Sequence, residues 1–121
     1  MDYVLDEYGN RCTYLDGKLH SYDDKPAVIS PDDTQLWYKN GKRHRDNDLP
    51  AVIYADSEQW WFQNDKLHRD NVKDSSFTGP AKIYANGDAE WWIGGVKIKE
   101  CDKYQPKVKS ARAIISCIPI Q

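Results

Sequence analysis

The sequence predicts an all-β fold: an elongated antiparallel meander of stacked β-hairpin repeats of about 24 residues each, followed by a short C-terminal capping segment, helix or strand. Three observations support it. A sequence unit repeats about four times along the chain, each unit carries two turn signals, and the residues between the turns are rich in β-branched and aromatic types. Successive strands should therefore run back and forth in one sheet.

The internal repeat is the strongest of these observations. Gly41, in "YKNGKRH", has counterparts at spacings of 24, 24 and 30, namely Gly17, Asp65 and Gly95. The segments "PAVIS", "PAVIY" and "PAKIY" begin at spacings of 24 and 30, at Pro26, Pro50 and Pro80. Six extra residues therefore lie in an insertion near 72–77. The predicted organisation is a repeat array over residues 1–100 and a capping segment over 101–121.

The turn signals predict hairpins. Each unit has a pair of residues that tolerates positive φ at both positions, as type I′ turns require. These pairs are Asp16-Gly17, Asn40-Gly41, Asn64-Asp65 and Gly94-Gly95. A second turn signal marks the other end of each strand pair, at Asp32-Asp33, Asp56-Ser57 and Asn86-Gly87.

Strand alternation predicts which side chains are interior. The packed face should carry Ala27, Ala51 and Ala81 with Ile29, Ile53 and Ile83. The residues between them, Val28, Val52 and Lys82, should meet water because one is a lysine. An interior aromatic column is expected at Tyr14, Tyr38, Phe62 and Trp92, where Glu90 is a discordant neighbour.

The opposite aromatic column is the first candidate binding site. Its members Trp37, Trp61 and Trp91 have mainly polar strand neighbours in the two central units, which predicts a solvent-facing ladder. The alternative is that the twisted sheet or the tail folds over and buries these rings. The second candidate is the insertion, where Lys73 and Phe77 could contact a partner. Its alternative is a neutral surface loop.

The segments "YLDGKLH", "YKNGKRH" and "FQNDKLH" resemble the MORN repeat, whose unit has an aromatic residue, then Asn-Gly-Lys, then His. The resemblance covers about residues 3–100 and departs after the histidine, where Ser21, Arg45 and Arg69 replace the usual glycine. The "HRDN-LPAVIY" form is similar to divergent MORN-like arrays of phages and large DNA viruses. It implies binding or scaffolding, with a host protein as a partner to be sequestered or inhibited.

No catalytic, metal or cofactor site is predicted. His20, His44 and His68 share one register, but equivalent residues of successive units lie about 10 Å apart, too far to share a zinc ion. They are interpreted as structural. Ser57, His44 and Asp46 lie in turns whose chemistry already explains them. The acids Asp46, Asp70 and Glu100 beside Arg45, Arg69 and Lys99 are interpreted as surface ion pairs.

Charge and cysteine content restrict the partners. The net charge of −2 does not favour nucleic acid or a membrane surface. The basic tail leaves lipid or nucleic-acid binding as a third possibility, to be tested by its salt dependence. Cys12, Cys101 and Cys117, an odd number without C-x-x-C spacing, are expected to be free thiols in the cytoplasm. Another protein is the expected partner, a carbohydrate bound by the tryptophan ladder is the alternative, and the chain is a monomer or an edge-to-edge dimer.

The tail is open to two interpretations. Val108, Ala111, Ile115 and Ile118 have helical spacing, and Pro106 suits the first turn, which favours a helix. The β-branched "AIISCI" equally permits a strand. In either form the tail should cover the last repeat, because repeat arrays need capped ends.

Overall fold

A computed structural model of the 121-residue chain describes residues 3–69, 79–102, 104–107 and 114–117, the last of these segments and 105–107 as backbone only. The described residues form seventeen β-strands and no helix. In chain order these are β1 (Val4–Leu5), β2 (Arg11–Cys12), β3 (Tyr14–Leu15), β4 (Lys18–Leu19), β5 (Val28–Ile29), β6 (Gln35–Leu36), β7 (Tyr38–Lys39), β8 (Lys42–Arg43), β9 (Val52–Ile53), β10 (Gln59–Trp60), β11 (Phe62–Gln63), β12 (Lys66–Leu67), β13 (Lys82–Ile83), β14 (Ala89–Ile93), β15 (Val96–Cys101), β16 (Tyr104–Lys107) and β17 (Ile114–Cys117).

Nine of these strands form one antiparallel meander. Their order in the sheet is β1-β2-β5-β6-β9-β10-β13-β14-β15, so the strands follow chain order with the small hairpins left out. The hairpins β3–β4, β7–β8 and β11–β12 are separate two-stranded sheets, and β16–β17 is a fourth. The prediction of an all-β antiparallel meander of hairpins is confirmed.

The hairpins β3–β4, β7–β8 and β11–β12 are each separated from the preceding strand of the large sheet by a single residue that belongs to neither strand. Trp37, between β6 and β7, donates its backbone N–H to Ala51 in the sheet (2.8 Å), and its carbonyl accepts from His44 at the end of the hairpin (3.2 Å). Thr13 and Trp61 make the same pair of bonds in the neighbouring hairpins. The strand is interrupted at this residue, so the alternation of side chains does not continue from β6 into β7.

The predicted type I′ turns are confirmed. Both central residues have positive φ in all four hairpins, with values of 51° and 79° at Asp16-Gly17 and 50° and 85° at Asn40-Gly41. Each later turn is bonded to the hairpin before it. The turn residues Gly41, Asp65 and Gly95 donate their backbone N–H to Leu19, Arg43 and Leu67, at 2.8, 2.9 and 2.9 Å. The hairpins therefore stack in sequence order.

The core contradicts part of the predicted face assignment. Ala27, Ala51 and Ala81 are fully buried, as expected. Val28 and Val52 are also buried, so the prediction that their side of the sheet meets water is wrong. In strands of only two residues, one face is not interior and the other exposed, because the neighbouring hairpins cover both faces.

The aromatic assignment also needs correction. Trp37, Trp61 and Trp91 are only 4–5% exposed, so the predicted solvent-facing ladder is wrong. Of the column expected to be interior, Phe62 is buried, Tyr38 and Trp92 are half-buried, and Tyr14 is exposed. The physical reason is that the regular alternation of side chains is broken at these residues: Trp37 and Trp61 lie between two strands, and Trp91 adjoins a register shift in β14.

The tail is not helical where it is described. Residues Tyr104–Lys107 and Ile114–Cys117 pair as antiparallel strands, so the helix favoured by the spacing of apolar residues is wrong and the strand alternative holds. Tyr104 packs edge-to-face on Trp91, with ring centroids 5.4 Å apart. Cys101 is disulfide-bonded, which contradicts the expected free thiol there, whereas Cys12 is free and buried.

Lys82 and Glu90, which break the apolar pattern at the third and fourth units, are cross-strand partners in β13 and β14. The Lys82 Nζ lies 3.9 Å from Glu90 Oε1 and 3.9 Å from the centroid of the Trp60 ring. Both side chains are largely shielded, at 14% and 17% exposure. The two charges therefore occur together because each compensates for the other.

Trp61→Ala and Phe62→Ala should both destabilise the fold, by about 3–5 kcal/mol each, because both rings are buried. Lys66→Ala, an exposed position on the same hairpin, is the control and should leave the melting temperature almost unchanged. Urea unfolding followed by tryptophan fluorescence and circular dichroism measures all three. A Trp61→Ala variant as stable as the wild type would contradict the burial of this ring and would support the predicted solvent-facing ladder.

The Lys82–Glu90 pair should behave as a unit. Glu90→Leu alone should cost about 2 kcal/mol, because it leaves the shielded Lys82 ammonium without its carboxylate, whereas Lys82→Val should cost less, because Glu90 keeps Lys97 at 3.8 Å and the Trp92 indole N–H at 2.9 Å. The double substitution restores the Val–Leu pairing found at Val28 and Leu36, and we expect its stability to be within about 1 kcal/mol of the wild type. A double variant as unstable as the sum of the single variants would show that the charges are not coupled.

Candidate functional site

The ring of Trp37 is held between two units of the chain. Its indole Nε1 donates to the carbonyl of Asp24 at 3.0 Å, and the guanidinium of Arg45 lies over its face, 3.7 Å from the ring centroid. The indole N–H is therefore satisfied by a loop 13 residues earlier in the chain, and the face is covered by a cation. Because the residue is only 4% exposed, the Trp37 ring does not offer a face on which a partner could stack.

Arg45 closes this arrangement with a bidentate ion pair. Its Nε and Nη2 donate to the two carboxylate oxygens of Asp24 at 3.0 and 3.1 Å, and its Nη1 donates to the carbonyl of Pro50 at 3.1 Å. The Arg45 side chain is 12% exposed. We call this set, a tryptophan, an arginine and an aspartate from the preceding loop, the clamp.

A second clamp with the same bonds lies 24 positions later, at Trp61. Its Nε1 donates to the carbonyl of Asp48 at 3.0 Å, and Arg69 lies over the ring at 4.0 Å. Arg69 donates to the two carboxylate oxygens of Asp48 at 2.7 and 3.1 Å and to the carbonyl of Pro80 at 3.1 Å. The sequence prediction paired these arginines with their neighbours Asp46 and Asp70. The pairs that the structure describes, with Asp24 and Asp48, cross from one unit to the next, and Asp70 lies outside the described residues.

The clamp is altered at both ends of the array. In the first unit Thr13 and Ser21 stand where the clamp has Trp and Arg, and the Ser21 hydroxyl accepts from the backbone N–H of Tyr38 at 3.1 Å. In the last unit Lys99 replaces the arginine, with its Nζ 4.8 Å from the centroid of the Trp91 ring. A lysine cannot reproduce the two parallel bonds of a guanidinium.

The three histidines are structural, and their role is specific. Nδ1 of His20, His44 and His68 accepts the backbone N–H of the first turn residue in the next hairpin, at 3.1, 3.1 and 2.7 Å. The Nε2 of His44 is 2.8 Å from Asp46 Oδ1. Both ring nitrogens of His44 are therefore engaged within the chain.

Two neighbouring clefts open beside the clamps, with volumes of about 230 and 200 Å³. The first lies between the loops at 20–24 and 44–47 with Trp37 at its base, and the second lies beyond the 46–48 loop with Trp61 at its base. Asp46 and Asn47 line both clefts and form the wall between them. Sequence reasoning missed these clefts, although the recurring "HRDN" was the signal for them.

A second surface that the sequence did not predict lies on the last hairpin. Ile93, Val96 and Ile98 are 38%, 63% and 57% exposed, and we call them the terminal patch. The equivalent positions of the preceding hairpin hold the polar residues Gln63, Lys66 and His68. Among the described residues that follow β4 and precede the terminal patch, one large apolar side chain, Leu49, is exposed. Apolar residues therefore replace polar ones at this hairpin.

The other predicted site residues have separate outcomes. Lys73 and Phe77, with the insertion that contains them, lie outside the described residues. Ser57 is in a turn, where its N–H donates to Tyr54 at 2.9 Å. Across the described parts of the chain, no group of three His, Cys, Asp or Glu side chains could hold a metal ion. Those parts also contain no apolar helix of membrane-spanning length.

The chain was compared with protein-family models, curated proteins and solved structures, and no match was found in any of the three.

Acid should weaken the first clamp through Asp24. The hydrogen bond from Arg45 holds the pKa of the Asp24 carboxyl below its ordinary value of 3.8, so the unfolded chain binds this proton more readily than the folded chain. The resulting stability is present above about pH 4 and is lost as the pH falls through the folded-state pKa. Unfolding free energies of the wild type and Asp24→Asn, measured from pH 6 to pH 2.5, should therefore converge as the pH falls. The control is Asp24→Asn in an Arg45→Met background, where the difference in unfolding free energy should not depend on pH. If that pH dependence persists without Arg45, the hydrogen bond from Arg45 is not its cause.

Proposed function

We propose that this protein is a non-enzymatic module that binds another protein through the terminal patch. The observation that carries the proposal is the exchange of Gln63, Lys66 and His68 for Ile93, Val96 and Ile98 on an exposed surface. Contiguous apolar side chains left in water are typical of contact surfaces. A patch that arose only because the array ends would keep the polar residues of the preceding hairpin.

The basic sequence of the C-terminal segment favours an acidic partner surface. Lys97 and Lys99 alternate with the apolar residues along β15, where Lys97 pairs with Glu100 at 2.9 Å and Lys99 lies over the Trp91 ring. Residues 97–121 contain six Lys or Arg and two acids, a net charge of +4 against −6 for the rest of the chain. An acidic rim around an apolar centre on the partner would complement this arrangement.

We propose further that residues 1–100 are an array of about 24-residue units of the MORN-like type. The recurrence of the clamp, the histidine contact and the turn-to-hairpin bond at this spacing supports the proposal. Residues 101–121 would act as a cap, supported by the contact of Tyr104 with Trp91 and by its N–H, which donates to Gly87 at 2.8 Å. The resemblance remains the sole basis for a viral origin and a host partner.

Two observations bear on catalysis and location. Both nitrogens of His44 are engaged, so the His44–Asp46 pair has no free nitrogen to act as a general base, which supports a non-catalytic role. Disulfides are rare in the cytosol, so the bond at Cys101 favours an oxidising compartment over the expected cytoplasm.

The test is a triple variant that installs the residues of the preceding hairpin: Ile93→Gln, Val96→Lys and Ile98→His. It should fold with a melting temperature close to that of the wild type, because the same side chains are tolerated at 63, 66 and 68. Partners are identified by quantitative mass spectrometry after affinity capture with each protein. The identified partner is then purified and its binding is measured by calorimetry.

A protein bound stoichiometrically by the wild type should bind the triple variant at least about 30-fold more weakly, since loss of contact hot spots costs 2 kcal/mol or more. Lys18→Gln and Lys42→Gln, changed together on earlier hairpins, are the matched control and should bind normally. Equal binding of wild type and triple variant, or the absence of any stoichiometric protein, would overturn the proposal.

A further inference from the structure

We propose that the two clefts beside the clamps form a tandem binding site for a neutral oligosaccharide. The inference is independent of the terminal patch, which lies on a different hairpin. It rests on three observations: the walls of the clefts are held rigidly, their groups free for hydrogen bonding are mixed in kind and cancel in charge, and the two clefts are adjacent.

The walls are held by the fold before any ligand arrives. Asn47 and Asp48 have φ values of 66° and 58°, a tight left-handed turn fixed by the ion pair between Asp48 and Arg69. Gln63 supports the same loop from below, donating its side-chain amide to the carbonyl of Arg45 at 2.8 Å. A site that is already ordered loses little conformational entropy on binding.

The polar groups that line the first cleft fall into two sets. Those of Asp24, Arg45 and His44 are occupied by bonds within the chain. The Lys39 ammonium, the Asn47 amide and the second carboxylate oxygen of Asp46 have no hydrogen-bond partner among the described residues. These three groups supply both donors and acceptors.

The charges of this set cancel. Lys39 carries one positive charge and Asp46 one negative charge, while Asp24 and Arg45 neutralise each other. Phosphate would be repelled by Asp46, and a simple cation by Lys39. Hydroxyl groups donate and accept at once, so a polyhydroxylated neutral ring matches the mixed lining better than an ion does.

The arrangement of the two clefts selects a ligand with at least two rings. They share the Asp46–Asn47 wall, and their bases are tryptophans of successive units. Units that contribute two sheet strands each repeat about every 10 Å. A single ring would fill one cleft, whereas a chain of rings could contact both, so affinity should rise with chain length. The faces of Trp37 and Trp61 are covered by arginine, so the sugar would meet polar groups and not a stacking platform.

The experiment follows the indole N–H signals of Trp37 and Trp61 by NMR during titration with neutral gluco-oligosaccharides and N-acetylglucosamine oligomers of one to six rings. An oligogalacturonate series supplies the anionic arm. We expect saturable shifts of both signals with one neutral series, with affinity at least about tenfold higher for two or more rings than for one. Tighter binding of the anionic series would overturn the assignment of a neutral ligand, and no shift at millimolar ligand with any series would overturn the site.

Lys39→Met and Lys42→Met form the matched pair of variants, since the two lysines face each other across β7 and β8 but only Lys39 lines a cleft. Lys39→Met should weaken sugar binding about tenfold and Lys42→Met should leave it unchanged. Equal effects of the two would contradict the cleft. The Ile93, Val96 and Ile98 triple variant should retain sugar binding, so failure here and failure of the protein-binding proposal are distinguishable.

Discussion

The guanidinium of each clamp is the group on which the middle of this structure depends. Arg45 contacts the ring of Trp37 and the carboxylate of Asp24, and so connects two units. A desolvated cation–π contact contributes about 2 kcal/mol and a hydrogen bond to a charged group about 1.5–3 kcal/mol. Those gains oppose the cost of removing the guanidinium from water, which is several kcal/mol for an ion without such contacts. Three N–H groups of the guanidinium donate to Asp24 and Pro50 while its face lies on the Trp37 ring, and these contacts offset that cost.

The clamp is needed because the strands are so short. Most strands of the large sheet have two residues, and a ladder of that length cannot hold its register by itself. Thr13, Trp37 and Trp61 add one backbone bond to the large sheet and one to the end of their own hairpin, and the turn-to-hairpin bonds join successive hairpins. Since Nδ1 of each histidine accepts a turn N–H, the ring hydrogen lies on Nε2, which in His44 donates to Asp46. The turn-to-hairpin bond and the histidine bond therefore give each hairpin two attachments to the next.

Much of the local structure could be predicted from sequence, because it is encoded in pairs of neighbouring residues. The turn at Asn40-Gly41 required positive φ twice, and the structure has it. Face assignment failed because it extrapolated a period of two across Trp37, where the strand is interrupted. Polar neighbours such as Gln35 and Lys39 then suggested exposure for a ring that Arg45 covers. No local pattern could show that the covering cation was eight residues away.

The candidate site was harder to predict for a related reason. The clefts arise between loops that are adjacent in space and about 24 residues apart in sequence, so their lining appears only when two units are superposed. The recurrence of "HRDN" marked the positions but was interpreted as a row of surface ion pairs. The pairing of Arg69 with Asp48, 21 residues earlier in the chain, places these charged residues in the walls of the clefts.

Departures from the repeat are concentrated in the last two units, and they form one consistent set. Lys82 and Glu90 replace an apolar cross-strand pair, Lys99 replaces the clamp arginine, and Ile98 replaces the histidine that would accept a turn N–H. The change at Ile98 removes the bond by which the histidine of the earlier units holds a following hairpin, and the change at Lys99 removes a bidentate ion pair between units. The six-residue strand β15 takes up part of that role, since its end pairs with Ala89 and Glu90 where a following unit would otherwise pair. Residues freed from stacking can then be apolar and exposed, which is the condition that a contact surface requires.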